Sequence, residues 1–448
     1  MTEWIGAAEA AERLGIKPAS LYAYVSRGVL ARRQEPGGRG SLYDAREIAR
    51  LARKGRPRRA PAGAEIVIET AVTEITPEHL RYRGHDVMEL AARRSFEEVA
   101  LLLWGGDPGA EPGGWQAAPG SLAVGRAAQA ALPPRVLPLE RLQVIVPALA
   151  ATDPLRLQLE QPAVIAAGRA LIAGMVDCLP PAPASRRPAR PGDPAAVPEQ
   201  HERAVAAAQA TATARSRGTA GPDSGAGGSI AARLTRALSP AEPPPGLARV
   251  VQAALVLLAD HELAASTLAA RVAASVRADP YAVVATGLGA VGGALHGGAS
   301  LAAETMLGQA ADAADVPRVV GGLLRRGQRL TGFGHFAYPA GDPRSVSLMR
   351  ALEEYAPESP RLAVARAVVA EARRRALPEP NVDFTLAALA SVGGLVAGSG
   401  EVIFAVARAA GWIAHALEEY DRRAPIRPRG VYTGPPGALR ESGPQRGH

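Results

Sequence analysis

Three observations predict a mainly α-helical protein. Beyond about residue 95, apolar residues recur at helical spacing in Ala- and Leu-rich segments broken by Gly and Pro. Strand-like alternation is confined to one stretch, IVIETAVTEITPEHLRYRGHDV, residues 66–87. Strand and helix signals do not alternate along the rest of the chain, so a doubly wound parallel sheet has no support.

The chain has 448 residues, enough for two or three domains and a large core. One cysteine, Cys178, excludes internal disulfides and cysteine-based metal clusters, and fits a reducing, cytoplasmic setting. The first residues, MTEWIGAAEAAERLG, carry charges where a secretion signal needs an apolar run. The nearest candidate for a membrane span, FTLAALASVGGLVAGSG, is short and broken by glycines, so no membrane role is expected. Of the formal charge of +8, +7 falls in residues 1–60, where thirteen Lys and Arg face six Asp and Glu. Basic excess confined to one small segment points to a polyanion-binding module on a nearly neutral body.

Taken in order, AAEAAERLGI places Ala8, Ala11, Leu14 and Ile16 at helical spacing, with Gly15 as its stop. KPASLYAYVSRGVL restarts, with Pro18 in a first turn and Leu21, Tyr24 and Val25 on one face. Two short helices around a Gly-containing turn make a helix-turn-helix. ARRQEPGGRGSLYD reads as a wing, a Gly-rich tip between extended arms, and DAREIARLARK as a further helix with Asp44 as N-cap. This arrangement, over residues 1–55, resembles the MerR-like and excisionase-like winged helix domains. The resemblance implies DNA contacts from Ser20, Tyr22, Tyr24 and Arg27, and from Arg39 on the wing.

GRPRRAPAG is a linker by composition, placed at 56–64. Short hairpins are expected from the alternating stretch after it. Residues 179–228 are rich in Pro, Gly and Ser and nearly without large apolar residues. Such a segment cannot bury enough surface to offset its ordering entropy, and a disordered insertion is expected, with a transient helix at EQHERAVAAAQATATA. Residues 435–448 read as a disordered tail.

TGLGAVGGALHGGAS, residues 286–300, contains the dinucleotide-binding letters at Gly287, Gly289 and Gly292. A Rossmann turn needs a βαβ unit around it, and the surroundings here are helical. The glycines are therefore expected to serve close helix packing, with Gly297 and Gly298 leaving room around His296. The eight histidines are far apart and lack the spacing of a zinc site. Two of them, His296 and His335, stand among glycines, which permit a substrate to approach the backbone closely. Asp383, in PNVDF, falls among apolar residues at a helix start: desolvation there makes a carboxylate more basic, while the plainer role is an N-cap.

The ordered series LRYRGHDVMELAARRSFEEVALLLWGG, LLADHELAAST, ALHGGAS, GFGHFAYPAGDPR, PNVDF, ARAAGWIAHALEE and IRPRGVYTG closely resembles the citrate synthase family, over about 65–180 and 229–434. That resemblance implies a two-domain helical fold, with a large domain at 65–305 plus 406–434 and a small domain at 306–405. It also implies roles. Asp383 matches the base that deprotonates the acyl-CoA methyl, His296 the donor that stabilises the enol or enolate, and His335 the donor that polarises the ketone. His261, Arg344, Arg408 and Arg427 match the substrate-binding residues, Arg427 reaching a partner subunit's site in an obligate homodimer. No metal or other cofactor is implied. Ser300, Phe336 and Ala264 stand where many members have Asn, Arg and Asn.

The expected reaction is the condensation of acetyl-CoA with oxaloacetate and water to citrate and CoA. A 2-methylcitrate synthase using propionyl-CoA would share every group named. A third reading is a metabolite-sensing DNA-binding regulator built on a synthase-like body.

Overall fold

The computed structural model describes residues 4–14, 30, 32–34, 41–48, 67–76, 79–106, 114–183, 228–293, 296–430 and 433. Its contacts divide the chain into two units, Met1–Glu69 and Thr70–His448.

In the first unit, β1 (Trp4–Gly6) leads into helix α1 (Ala7–Leu14), and β2 (Arg32–Gln34) and β3 (Ser41–Asp44) follow. The sheet order is β1-β3-β2, antiparallel throughout, with Ile5 opposite Tyr43 and Arg33 opposite Leu42. Residues 45–48 are helical, and the Asp44 carboxylate accepts the Arg46 amide, the first step of the expected cap. Ile5, Ala10, Ala11, Leu30, Tyr43, Ala45 and Ile48 form a small buried core. Ser20, Tyr22, Tyr24, Arg27 and Arg39 lie outside the described residues, as do the second helix, the wing tip and the linker.

The second unit opens with the expected hairpins, β4 (Thr73–Ile75), β5 (Leu80–Tyr82) and β6 (His85–Asp86) in antiparallel order. Among the described residues, the rest of its regular structure is helical. The helices are α2 (Val87–Arg93), α3 (Phe96–Leu103), α4 (Pro119–Gln129), α5 (Pro138–Ala150), α6 (Gln161–Asp177), α7 (Ile230–Leu238), α8 (Leu247–Leu258), α9 (Ala265–Ser275) and α10 (Pro280–Val291). They continue with α11 (Gly298–Gly308), α12 (Val316–Arg325), α13 (Pro343–Tyr355), α14 (Pro360–Arg374), α15 (Val382–Gly393) and α16 (Ser399–Arg422). Residues 184–227 and 434–448, the core of the expected insertion and the tail, lie outside the described residues.

Helix α16 is the spine. It packs on α3, α5, α6, α8, α9, α10, α11 and α15. It is long and apolar enough to cross a membrane, yet its apolar window is entirely buried among these neighbours, which makes it a core helix. Small residues allow the approach. A Cβ at Gly411 would collide with Ala259 O and the Asp260 carboxylate, so glycine lets the end of α8 lie on α16, with the Gly411 amide donating to Ala259 O at 3.0 Å. Trp104 Nε1 reaches across to Ala410 O at 2.9 Å and stacks on Trp115.

The dinucleotide-like glycines fall on helix α10 and the turn after it, and the element before α10 is helix α9. A Cβ at Gly287 would stand 2.6 Å from the Trp412 ring of α16, closer than any real contact. The expectation for Gly297 needs correcting. A Cβ there would meet Val291 O at 2.5 Å, and its amide already donates to that oxygen. Gly297 therefore lets the chain fold back onto the end of α10; it does not open space for a ligand.

Candidate active site

Four of the expected site residues meet around two buried arginines. Arg344 sits in the first turn of α13, which Asp342 caps and Pro343 starts. Asp342 also takes the Arg344 fork, accepting from Nε at 3.0 Å and Nη2 at 2.9 Å, and accepts the Val382 amide at 3.1 Å. Burial alone would raise the Asp342 carboxyl, but the guanidinium outweighs it and holds it below the usual range. Arg344 Nη1 has no hydrogen-bond partner among the described residues, which leaves one nitrogen for a ligand.

Arg408, on α16, is 1% exposed. Its Nε donates to Leu258 O at 2.9 Å, and its guanidinium lies 4.6 Å from the Phe404 ring centre. It makes no ion pair among the described residues. Burial pushes its proton affinity down, only partly offset by the field of Asp260. An unpaired buried charge costs several kcal/mol, roughly, and is rare unless a ligand supplies the counter-charge.

The histidines surround these cations and stay neutral. His261 Nε2 lies 2.9 Å from the Tyr338 hydroxyl, and its ring meets His335 edge-on at 5.3 Å. Tyr338 in turn stacks on His335 and lies under Arg344, 5.6 Å away. His296 Nε2 lies 2.9 Å from Ser266 Oγ, and its ring stands edge-on to Phe404. Burial, reinforced by Arg408, lowers His296 to about 4. Burial and then Arg344 lower both His261 and His335.

Asp383 is the one acid of the cluster without a cation on its oxygens. The capping role is taken by Asn381, whose side chain accepts the Asp383 amide at 3.0 Å. The Asp383 carboxylate accepts no hydrogen bond among the described residues. Burial raises it to about 6, against the pull of Arg344 and Arg408.

Behind the cluster runs a buried polar network that the sequence did not announce. Asp260 accepts from Thr73 Oγ1 and the Glu262 amide, and His415 Nε2 lies 3.3 Å from the same oxygen. Tyr82 donates to Asp260 O and accepts the Asp260 amide, pinning the residue before His261 on both sides. Arg271 ties His415 to Glu418 and Glu419. The HALEE letters of the motif encode this scaffold, so their part is structural. Arg427 stands apart: it is exposed and makes no hydrogen bond or ion pair among the described residues.

Comparison with known proteins matches this architecture. The family model for "Citrate synthase, C-terminal domain" matches residues 63–429. The chain belongs to the citrate synthase family. It is 37% identical over 213 residues to Citrate synthase 2 of Bacillus subtilis, an alignment covering 46% of this chain and 56% of that one. It is 31% identical over 380 residues to the 2-methylcitrate synthase of Mycobacterium tuberculosis, covering 82% and 88%. Several of the curated relatives it matches are thus spanned over only about half their length. The structure is also similar to the crystal structure of citrate synthase from Pyrobaculum aerophilum, with a TM-score of 0.65 and 25% identity, covering 91% of this chain and 96% of that one.

The unpaired arginine gives a test. Arg408→Met keeps the bulk and removes the buried charge, so the ligand-free variant should unfold at or above the wild-type temperature. A saturating small dicarboxylate should stabilise the wild type, by about 2.7 kcal/mol at a hundred times its Kd, and stabilise the variant less. Thermal unfolding with and without the anion checks both halves.

Proposed function

We propose that the chain is a citrate synthase, joining acetyl-CoA to oxaloacetate and releasing citrate and CoA. The observation that carries this reading is Arg408, a buried cation awaiting an anion beside a carboxyl lifted to about 6. Arg408, the free nitrogen of Arg344 and His261 hold the oxaloacetate carboxylates. Asp383 takes a proton from the acyl methyl, and the resulting carbanion attacks the ketone carbon. Ser266 Oγ next to His296 Nε2 fits a tautomer with the proton on Nδ1, aimed at the thioester oxygen as charge develops there. His335 Nδ1 accepts the Ala337 amide at 3.2 Å, which puts its proton on Nε2, free to polarise the ketone. Water then cleaves the thioester of the citryl intermediate. No step calls for a metal or another cofactor.

The division into a large domain, 65–305 with 406–434, and a small domain, 306–405, belongs to the same reading, with a cleft that closes before the thioester reacts. A second acyl donor also has support. The alignment with the 2-methylcitrate synthase runs over most of both chains, and propionyl-CoA differs by one methylene, worth about 1–3 kcal/mol of discrimination.

The homodimer is supported by the outer face of α9. Leu268, Val272 and the adjoining Val276 form an exposed apolar stripe at helical spacing. The Ile426 amide donates to Ser275 Oγ, so the segment bearing Arg427 is anchored at the end of the same helix. A second copy seated on α9 would meet Arg427. DNA binding by a MerR-like N-terminal domain is supported by the +7 charge of residues 1–60 and by the antiparallel pairing of β2 with β3, which flank the Gly-rich tip. The lone buried thiol of Cys178 suits a reducing cytoplasm.

Three measurements test these statements. CoA release from acetyl-CoA should require oxaloacetate and fall by about 10²–10⁴-fold in Asp383→Ala. Because the base must be ionised, kcat/KM should fall as pH drops through about 6. Propionyl-CoA run alongside ranks the two acyl donors, and silence with both ends the enzyme reading. Val272→Arg should shift sedimentation from dimer to monomer; an unchanged profile moves the interface elsewhere. A gel shift on DNA should weaken steeply with salt and vanish when residues 1–60 are removed.

A further inference from the structure

We propose that Glu304 is a positioning residue for His296, its carboxylate latching helix α11 to the two amides that open helix α16. This inference rests on the synthase reading for the role of His296. The latch itself rests on geometry alone.

Helix α11 begins two residues after His296 and carries Glu304 in its second turn. Glu304 Oε2 accepts the Gly398 amide at 2.9 Å, and Oε1 accepts the Gly400 amide at 3.0 Å. These are orphan donors at the start of α16, whose N-cap, Gly398, has no side chain to satisfy them. A carboxylate from another helix thus performs the capping, where the α16 dipole also favours negative charge. Charge pairing is not what holds it, since no basic side chain bonds to Glu304 among the described residues. Its acidic neighbourhood points the same way: Glu401, next to Gly400, is buried, and its carboxyl is pushed to about 7 by burial and then by Glu304 and Glu140.

The contact is too close for any residue but glycine at position 400. A Cβ there would collide with Ser300 Oγ and stand 3.1 Å from Glu304 Oε1. Ser300 is itself buried, with no hydrogen-bond partner for its hydroxyl among the described residues. Serine at 300 and glycine at 400 together let α11 press onto α16, and Glu304 fixes the register.

Register matters because of what lies further along α16. Gly400, Phe404 and Arg408 are spaced four apart and share one face. The Glu304 latch grips the first, the His296 ring meets the second at 5.5 Å, and the third is the buried cation. Sliding α11 along α16 would therefore change the distance between His296 and the anion held at Arg408. A displacement of 1 Å at a reacting group costs about 10²-fold in rate.

The test uses the full chain with Glu304→Ala and Glu304→Gln. Two readouts are taken: the titration of His296 by NMR of ¹³C-labelled histidine, and kcat with KM for both substrates. In the wild type His296 should titrate near 4. In the alanine variant the ring should move back toward its ordinary value of 6.5, while kcat falls about 100-fold and the KM for oxaloacetate stays within a few-fold. Glutamine keeps one acceptor oxygen and should recover part of both effects, and it serves alone if the alanine variant does not fold. An unmoved His296 titration overturns the latch whatever the activity. A shifted titration with unchanged kcat overturns the positioning role. If the wild type turns over neither acyl-CoA, the synthase reading falls, and the titration still decides whether Glu304 sets the His296 ring.

Discussion

A guanidinium buried with no ion-pair partner among the described residues is the constraint around which this molecule is arranged. Arg408 is almost wholly buried, and no carboxylate among the described residues bonds to it. The fold reduces the penalty by two partial measures, a carbonyl oxygen at Nε and the face of Phe404 beside the plane. The three histidines around it are kept neutral. All three imidazoles are held below their ordinary value, first by burial and then by the arginines, Arg344 acting on His261 and His335 and Arg408 on His261 and His296. On the proposed reading, a dicarboxylate would enter a site already committed to its charge, with histidines still able to donate hydrogen bonds without adding to the field.

Three aspartates at the site show how one residue type is given different tasks. Asp260 is held by a hydroxyl, an amide and His415, and spends its oxygens on fixing the backbone beside His261. Asp342 is consumed by capping α13 and pairing with Arg344. Asp383 is spared both jobs because Asn381, two residues earlier, takes the cap. Lacking donors on its oxygens, it alone is lifted toward neutrality. The basicity of Asp383 thus follows from burial, with Asn381 leaving it free of the capping role.

Much of this was legible in the sequence. Helical periodicity, the hairpin stretch at 66–87 and the Asp44 cap depend on neighbours a few residues away, and they appear in the structure within those segments. The site histidines, Arg344, Arg408 and Asp383 were found through the order of their motifs, which no local rule supplies. What the sequence hid are contacts between distant segments. Nothing in the letters says that Asp342 will occupy the Arg344 fork, that Trp412 lies over Gly287, or that Glu304 reaches amides 94 and 96 positions away. Gly297 misled for the same reason: a glycine beside a histidine looks like room for a ligand, until the fold brings Val291 O against it.

The place of α16 in the chain has a consequence for biosynthesis. Among the described residues it follows every other helix of its unit, yet α3, α5, α6, α8, α9, α10 and α15 all bury surface against it. During translation those helices emerge first, with their apolar faces uncovered. At about 5–20 residues per second, the roughly 300 residues from the start of α3 to the start of α16 take roughly 15–60 s. Over that time the nascent chain is a collection of half-built interfaces, and its yield will be set by how well chaperones shield them until one helix closes them all.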